Sequence, residues 1–206
     1  MNADENAKMT KPQLVFDVGG VLADNLDGFW SGLAQSGGIE RRTLRRRYKE
    51  EVGSRLWSGL ITEDEFWAWL SNVCPGIEPA HARALLRETL VPLPALGRLE
   101  TWSRQADIHI LSNHLAAWIQ PLFAGRTPHI ASFTVSSEAG FHKPDRRLFE
   151  YAAAKLKGTD ICFVDDKENN LETARLLGWE TILADSAGCW IREIDRRLYG
   201  EGITDV

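Results

Sequence analysis

The apolar run Leu14-Val15-Phe16 stops at Asp17, and the glycines Gly19 and Gly20 follow at once. It is the first of five short apolar runs with helical stretches between them. That alternation constrains the fold more than any other feature of the chain. The later runs are Ile108-His109-Ile110-Leu111, then 131–135, 160–164 and 180–184. Apolar runs without polar alternation suit strands covered on both faces. Strands alternating with helices build a parallel sheet between helical layers, an α/β fold with a three-layer, Rossmann-like core. Helices are expected over 95–105, 115–123, 146–156, 168–177 and 190–198, the fourth of them stopped by Gly178.

Between the first two runs nothing reads as a strand. The segment 23–28 reads as a turn or short flap. Residues 39–48 read as a helix, whose Arg41, Arg42, Arg45, Arg46 and Arg47 invite a phosphate or nucleic-acid reading, with a solvated face near Glu50 and Glu51 the favoured one. Thr62-Glu63-Asp64-Glu65 has the pattern of a capping box. It opens a helix through Phe66, Trp67, Trp69 and Leu70, ended by Pro75-Gly76. Another helix covers 81–90. The expected organisation is a loose polar tail at 1–11, a core from 12–25 and 91–206, and a small all-helical cap at 26–90. Four of the eight tryptophans (Trp30, Trp57, Trp67, Trp69) lie in that cap. Helical spacing around Trp67 points to packing inside it, with a substrate-lining wall as the alternative.

Composition narrows the partners. A length of 206 residues fits one domain with a small insertion, and a net charge of -5 carries no footprint for nucleic acid. No apolar run nears the roughly 20 residues of a membrane span. The polar N-terminus lacks a signal-peptide core. Cys74, Cys162 and Cys189 share no metal-like spacing, which suits reduced thiols and a cytoplasmic protein. The expected partner is a small molecule, not nucleic acid or membrane.

The chemistry gathers at strand ends. The first run ends in Asp17, the second in Ser112-Asn113, the fourth in Asp165-Asp166, and Lys143 precedes the helix before that fourth run. In a parallel sheet these ends share one edge, where ligands bind. Three carboxylates converging there repel one another unless a cation offsets them. A hard, oxygen-seeking ion such as Mg²⁺ suits them, with Ser112 and Lys143 left to hold phosphate oxygens and Asp17 to attack phosphorus.

At these residues the chain resembles the haloacid dehalogenase (HAD) superfamily of phosphatases and related hydrolases. "FDVGGVL" is similar to that family's first motif, "ILSN" to its second, "GFHKPD" to its third and "FVDDKENNLETA" to its fourth. The resemblance runs over about 13–185, with 26–90 in the place of a helical cap. It implies Asp17 as nucleophile and metal ligand, and Gly19 as a backbone-carbonyl ligand. It implies Ser112, Asn113 and Lys143 at the phosphate, and Asp165 and Asp166 as metal acids, with Asn170 a structural residue of the last motif. The implied cofactor is Mg²⁺. The implied activity is hydrolysis of a small phosphorylated metabolite, such as a sugar phosphate, through an aspartyl-phosphate.

One position departs from the pattern. Most phosphatases of the family carry a second acid two residues after the nucleophile, and here that residue is Gly19. Asp24 or Asp27 on the flap, or His114 titrating near neutrality, are candidate substitutes. Their ordinary alternatives are turn-forming aspartates and a helix-start histidine near solvent. His142, just before Lys143, is the last candidate and is expected to point away from the site. Two other readings stand beside the phosphatase: a 2-haloacid dehalogenase-type hydrolase, and a catalytically weakened binding or regulatory protein.

Overall fold

The computed structural model describes residues 10–200; residues 1–9 of the expected tail and 201–206 of the expected core lie outside them. Five strands form one sheet: β1 (Gln13–Phe16), β2 (Asp107–Ser112), β3 (Ser132–Val135), β4 (Ile161–Asp165) and β5 (Glu180–Leu183). All pairings are parallel, in the order β3-β2-β1-β4-β5. The order reverses beside β1, so the carboxyl ends of β1, β2 and β4 flank the switch point where doubly wound sheets bind ligands. The register places Phe16 opposite Ile110 on one side and Val164 on the other. Asp17, the next residue, still donates its N–H to the Val164 carbonyl at 2.9 Å.

Between β1 and β2 the chain is helical: α1 (Asp27–Gly37), α2 (Arg41–Tyr48), a π-helical turn (Lys49–Gly53), α3 (Ser54–Trp57), α4 (Glu63–Val73) and α5 (Pro79–Thr89), followed by α6 (Leu99–Ser103) against the sheet. The remaining helices are α7 (Ala116–Ile119), α8 (Ser136–Ala139), α9 (Arg146–Ala153), α10 (Glu168–Arg175) and α11 (Cys189–Tyr199). Among the described residues no helix is long and apolar enough to cross a membrane. The helical segment leaves and rejoins the sheet region at one place. There Leu22 and Asp24 exchange backbone hydrogen bonds with Leu93 and Val91 at 2.9 Å.

Several elements differ from the sequence expectation. The helix α1 starts inside the expected flap. Its Gly28, Ser31, Gly32, Ser36 and Gly37 are poor helix formers. Tertiary packing overrides that preference. Phe29, Trp30 and Leu33 are buried, and a Cβ on Gly32 would come within 2.9 Å of Leu85 on α5, so the glycine lets the two helices touch. The expected helix at 115–123 tightens after Ile119 into a 3₁₀ turn around Pro121. The expected helix at 95–105 begins as a 3₁₀ turn opened by Pro94. The capping box forms as read: Thr62 Oγ1 accepts from the Glu65 N–H, and Glu65 accepts from the Thr62 N–H at 2.7 Å. One apolar cluster runs from Phe16 and Trp102 beneath the sheet to Trp118 on α7, and on into Phe66 and Trp67 on α4.

Candidate active site

The sheet edge brings Asp17, Asp165 and Asp166 together: each offers a carboxylate oxygen within 4.8 Å of the others. Lys143 reaches into this group. Its ammonium lies 2.9 Å from Asp17 Oδ1 and 2.6 Å from Asp165 Oδ2, and donates to the Leu111 carbonyl at 3.0 Å. All three of its N–H groups are therefore engaged. Burial pushes the Lys143 pKa down, but Asp165 and Asp17 outweigh burial and hold it above the usual lysine value. Burial raises Asp165 and Asp166 above the usual carboxylate range, with Lys143 the main opposing influence at Asp165 and Lys167 at Asp166. Three carboxylates face one buried ammonium and the exposed Lys167 ammonium, 3.4 Å from Asp166, which leaves the cluster one positive charge short.

The individual oxygens differ in what they have left. Asp17 Oδ1 accepts from the Val18 N–H at 2.6 Å and from Ser112 Oγ at 3.2 Å, besides Lys143. Asp17 Oδ2 has no hydrogen bond among the described residues. Asp165 Oδ1 accepts from the Lys167 N–H and from Asn170; its Oδ2 accepts from Lys143 and Asn170. Asp166 Oδ1 is buried with no hydrogen-bond partner among the described residues, the Lys167 ammonium standing 3.4 Å away. Gly20 makes room for Asp166: its φ is +80°, and a Cβ there would lie 2.8 Å from Asp166 Oδ2. A hard divalent cation fits this donor set, because it supplies the missing charge and a partner for the orphaned oxygen.

A cavity of about 480 Å³ opens above the cluster. Asp17, Gly19, Asn113, His114, Lys143 and Asp166 form its floor, and the helical segment contributes Trp30, Arg45, Tyr48, Lys49, Ser54 and Trp57. Ser112 and Asp165 do not line it. Both are fully buried behind the floor, Ser112 bonded to Asp17 and His114, Asp165 to Lys143 and Asn170. In this arrangement the Ser112 hydroxyl, expected at the phosphate, is taken up by Asp17 and His114. Asn113 lines the cavity, but its amide is held by the Lys143 backbone at 2.9 and 2.8 Å, so the side chain expected at the phosphate instead fixes the Lys143 loop.

The candidate acid/base groups need correction. Asp24 is exposed and outside the cavity wall, because its backbone is tied to Val91. Asp27 lines the cavity but pairs with Arg41 at 2.7 Å. His114 is buried rather than near solvent, and burial together with Lys143 and Lys167 lowers its pKa to about 3. It is a neutral ring at pH 7, not a group titrating near neutrality. Since Ser112 donates to Asp17, His114 Nδ1 donates to Ser112 Oγ at 2.8 Å. A Cβ on Gly19 would lie 3.5 Å from His114 Cε1, so the imidazole borders the space a second acid would enter. His142 lines the cavity instead of pointing away, with Nε2 2.9 Å from Ser54 Oγ.

Sequence reasoning left Arg45 on a solvated face and missed Tyr48 and Lys49 as wall residues. A signal existed: Arg46 and Arg47 have glutamates four residues on, whereas Arg45 has Lys49. Of the tryptophans, Trp67 packs against Phe66 and Trp118, while Trp30 and Trp57 line the cavity.

With this geometry in hand, likeness to known proteins carries meaning. No family model matches the chain. A drimenol cyclase of Aspergillus calidoustus is 28% identical over 181 residues, 82% of this chain. The chain spans only 33% of that cyclase's length. A D-ribitol-5-phosphate phosphatase of Bacteroides thetaiotaomicron is 23% identical over 88% of the chain and 95% of its own length. Among solved structures, a HAD-family enzyme of Bacteroides thetaiotaomicron superposes with a TM-score of 0.77 at 18% identity, covering 89% of this chain and 98% of its own. That enzyme is also solved as a complex with magnesium and inorganic phosphate. The fold is that of the HAD superfamily: a parallel five-stranded α/β core with a helical segment inserted after the first strand.

Proposed function

We propose that the chain is a HAD-type hydrolase, a Mg²⁺-dependent phosphatase of a small phosphorylated metabolite, with Asp17 as its nucleophile. The observation that carries this reading is the state of Asp17: Oδ1 is pinned by Val18, Ser112 and Lys143, and Oδ2 is left without a partner at the cavity floor. The likeness to a sugar-alcohol phosphate phosphatase along nearly its whole length supports it. So does a structural neighbour holding magnesium and phosphate.

Asp17 and Asp166 would hold the cation, with the Gly19 carbonyl beside them and Asp165 behind. Bound there, it would offset the charge of the transferring phosphoryl group. Asp17 Oδ2 attacks phosphorus, the bond from phosphorus to the leaving oxygen breaks, and an aspartyl-phosphate forms on Asp17. Water then attacks that phosphorus and frees the Asp17 carboxylate. Lys143 counters the negative charge at Asp17 throughout, and Ser112 keeps Oδ1 oriented. Gly19 brings no proton to the leaving oxygen, and His114 carries its one proton toward Ser112. A positioned acid typically contributes about 10²–10⁴-fold. The site is therefore best matched to phosphates whose leaving group needs little protonation, such as acyl or anomeric sugar phosphates.

Phosphate release from acetyl phosphate, glucose 1-phosphate and p-nitrophenyl phosphate tests the reading, with Mg²⁺ and with a chelator. Turnover with Mg²⁺ only is the expected outcome. Undiminished Mg²⁺ binding with no turnover on any of them would favour a binding or regulatory role. The buried acids beside Asp17 weigh against metal-free attack on carbon, and chloride release from 2-chloropropionate in the presence of chelator would reverse that judgement.

A further inference from the structure

The helical wall of the cavity carries charge that the chemistry at Asp17 does not use. Arg45 on α2 and Lys49 in the π-turn both line it. Three neighbouring arginines are neutralised: Arg46 pairs with Glu50 at 3.0 Å, Arg47 with Glu51 at 2.7 Å and Arg41 with Asp27 at 2.7 Å, while Arg42, with no ion pair among the described residues, does not line the cavity. Among the described residues neither Arg45 nor Lys49 has a carboxylate within ion-pair distance. The Arg45 guanidinium lies over the Trp30 ring, 5.3 Å from its centre. That stacking holds the planar group in place and leaves its N–H edge free for an anion.

A second observation points to the same wall. Tyr48 lines the cavity, and its hydroxyl is buried without a hydrogen-bond partner among the described residues. Burial raises its pKa, so it remains a hydroxyl able to donate. The π-turn begins at the next residue, and such turns concentrate at functional sites. It brings Lys49, Gly53 and, one residue beyond, Ser54 onto the wall. A Cβ on Gly53 would lie 3.0 Å from the Tyr48 ring, so the glycine accommodates the tyrosine.

Resting on the phosphatase reading, we propose that the substrate is a small phosphorylated molecule with a second anionic group at its far end, a carboxylate or another phosphate. Arg45 and Lys49 bind that group, and the Tyr48 hydroxyl donates to the same end of the molecule. Uncompensated like charges beside a cavity draw in ligands of the opposite sign and reject those of the same sign. The two basic side chains thus select substrates by the end that does not react.

Non-hydrolysable probes test this apart from turnover. With Mg²⁺ present, titration calorimetry compares hydroxypentyl phosphonate, carboxypentyl phosphonate and pentane bisphosphonate. The carboxylate or the bisphosphonate is expected to bind roughly 10-fold tighter than the hydroxyl probe, and the tighter of the two identifies the anion. In the Arg45→Gln/Lys49→Gln variant the preference should shrink to within about 2-fold, and in the wild type it should weaken as salt is added. Equal affinity for all three probes overturns the proposal, as does a preference that survives in the variant. Magnesium-dependent turnover of p-nitrophenyl phosphate reads the phosphatase assignment separately. With turnover present and the probes equal, only this proposal falls; with neither turnover nor phosphonate binding, both fall.

Discussion

The sheet buries polar side chains toward both ends of its strands, and the two groups are finished differently. Toward the amino ends, Gln13 Nε2 donates to the Lys11 carbonyl at 2.6 Å and to Asp107 at 3.2 Å. Its Oε1 accepts from His109 Nε2 and from the Lys157 N–H, each at 3.0 Å. His109 Nδ1 then accepts from Ser132 Oγ at 2.7 Å. Every side-chain polar atom of Gln13 and His109 has a partner. At the carboxyl ends, Asp17 and Asp165 share the buried Lys143 ammonium, while Asp166 has only the exposed Lys167 ammonium 3.4 Å away, and its Oδ1 has no hydrogen bond among the described residues. Burial of polar groups is common to both ends, so burial does not mark function. A cluster of carboxylates left short of positive charge does, because a bound cation completes it; single unpartnered N–H groups occur elsewhere, as at Trp118 Nε1 and Arg197 Nε.

The largest break in the comparison should come from Asp17→Asn. It removes the nucleophile yet leaves Lys143 its partner Asp165. Magnesium-dependent phosphate release should fall by roughly 10³-fold or more, while the melting temperature holds. A variant with substantial turnover would sever the carboxyl-end cluster from catalysis. Lys143→Met comes next. It strands buried carboxylates, which should cost about 3–5 kcal/mol in urea unfolding as well as activity. A loss under 1 kcal/mol, roughly that of an exposed pair, would contradict the charge account.

The amino-end cluster predicts a different signature, in pH. Burial lowers the His109 pKa from 6.5 to about 4. Above pH 6.5 the ring is neutral in both the folded and the unfolded chain and contributes nothing. As the pH falls from 6.5 to 4, the unfolded chain takes up the proton first, and native stability drops by about 3 kcal/mol. His114, lowered to about 3, adds a loss of the same sign. Urea midpoints across this range should show the decline, and His109→Gln should remove about one proton from its slope. An unchanged slope would mean that His109 is already protonated in the fold. The smallest expected effect separates the two ends most cleanly. Mg²⁺ at about 100 times its Kd should add about 2.7 kcal/mol of stability. Asp166→Asn should abolish that gain and His109→Gln should leave it intact.

The strands were legible because each apolar run is short and its flanks break sharply, as at Asp17-Val18-Gly19-Gly20. The gathering of Asp17, Lys143, Asp165 and Asp166 was legible too, since parallel strands put their ends on one edge. What stayed hidden was the direction of each side chain and the occupancy of each lone pair. No spacing rule tells that Ser112 lies behind Asp17, that Asn113 is held by the Lys143 backbone, or that His114 is dry enough to stay neutral. The helix α1 was hidden for a related reason: its glycines oppose a helix locally and serve one only against Leu85 and Thr89 of α5. The wall of Arg45, Tyr48 and Lys49 depends on a π-turn, which leaves no periodic mark in so short a segment.

The central claim is that Asp17 becomes phosphorylated. Acid quenching during turnover of acetyl phosphate with Mg²⁺, followed by borohydride reduction, converts an aspartyl-phosphate into homoserine that peptide mass spectrometry locates. The account predicts homoserine at position 17, dependent on Mg²⁺ and absent from Asp17→Asn. Turnover that proceeds with no homoserine at position 17, or with homoserine at another aspartate, would contradict it.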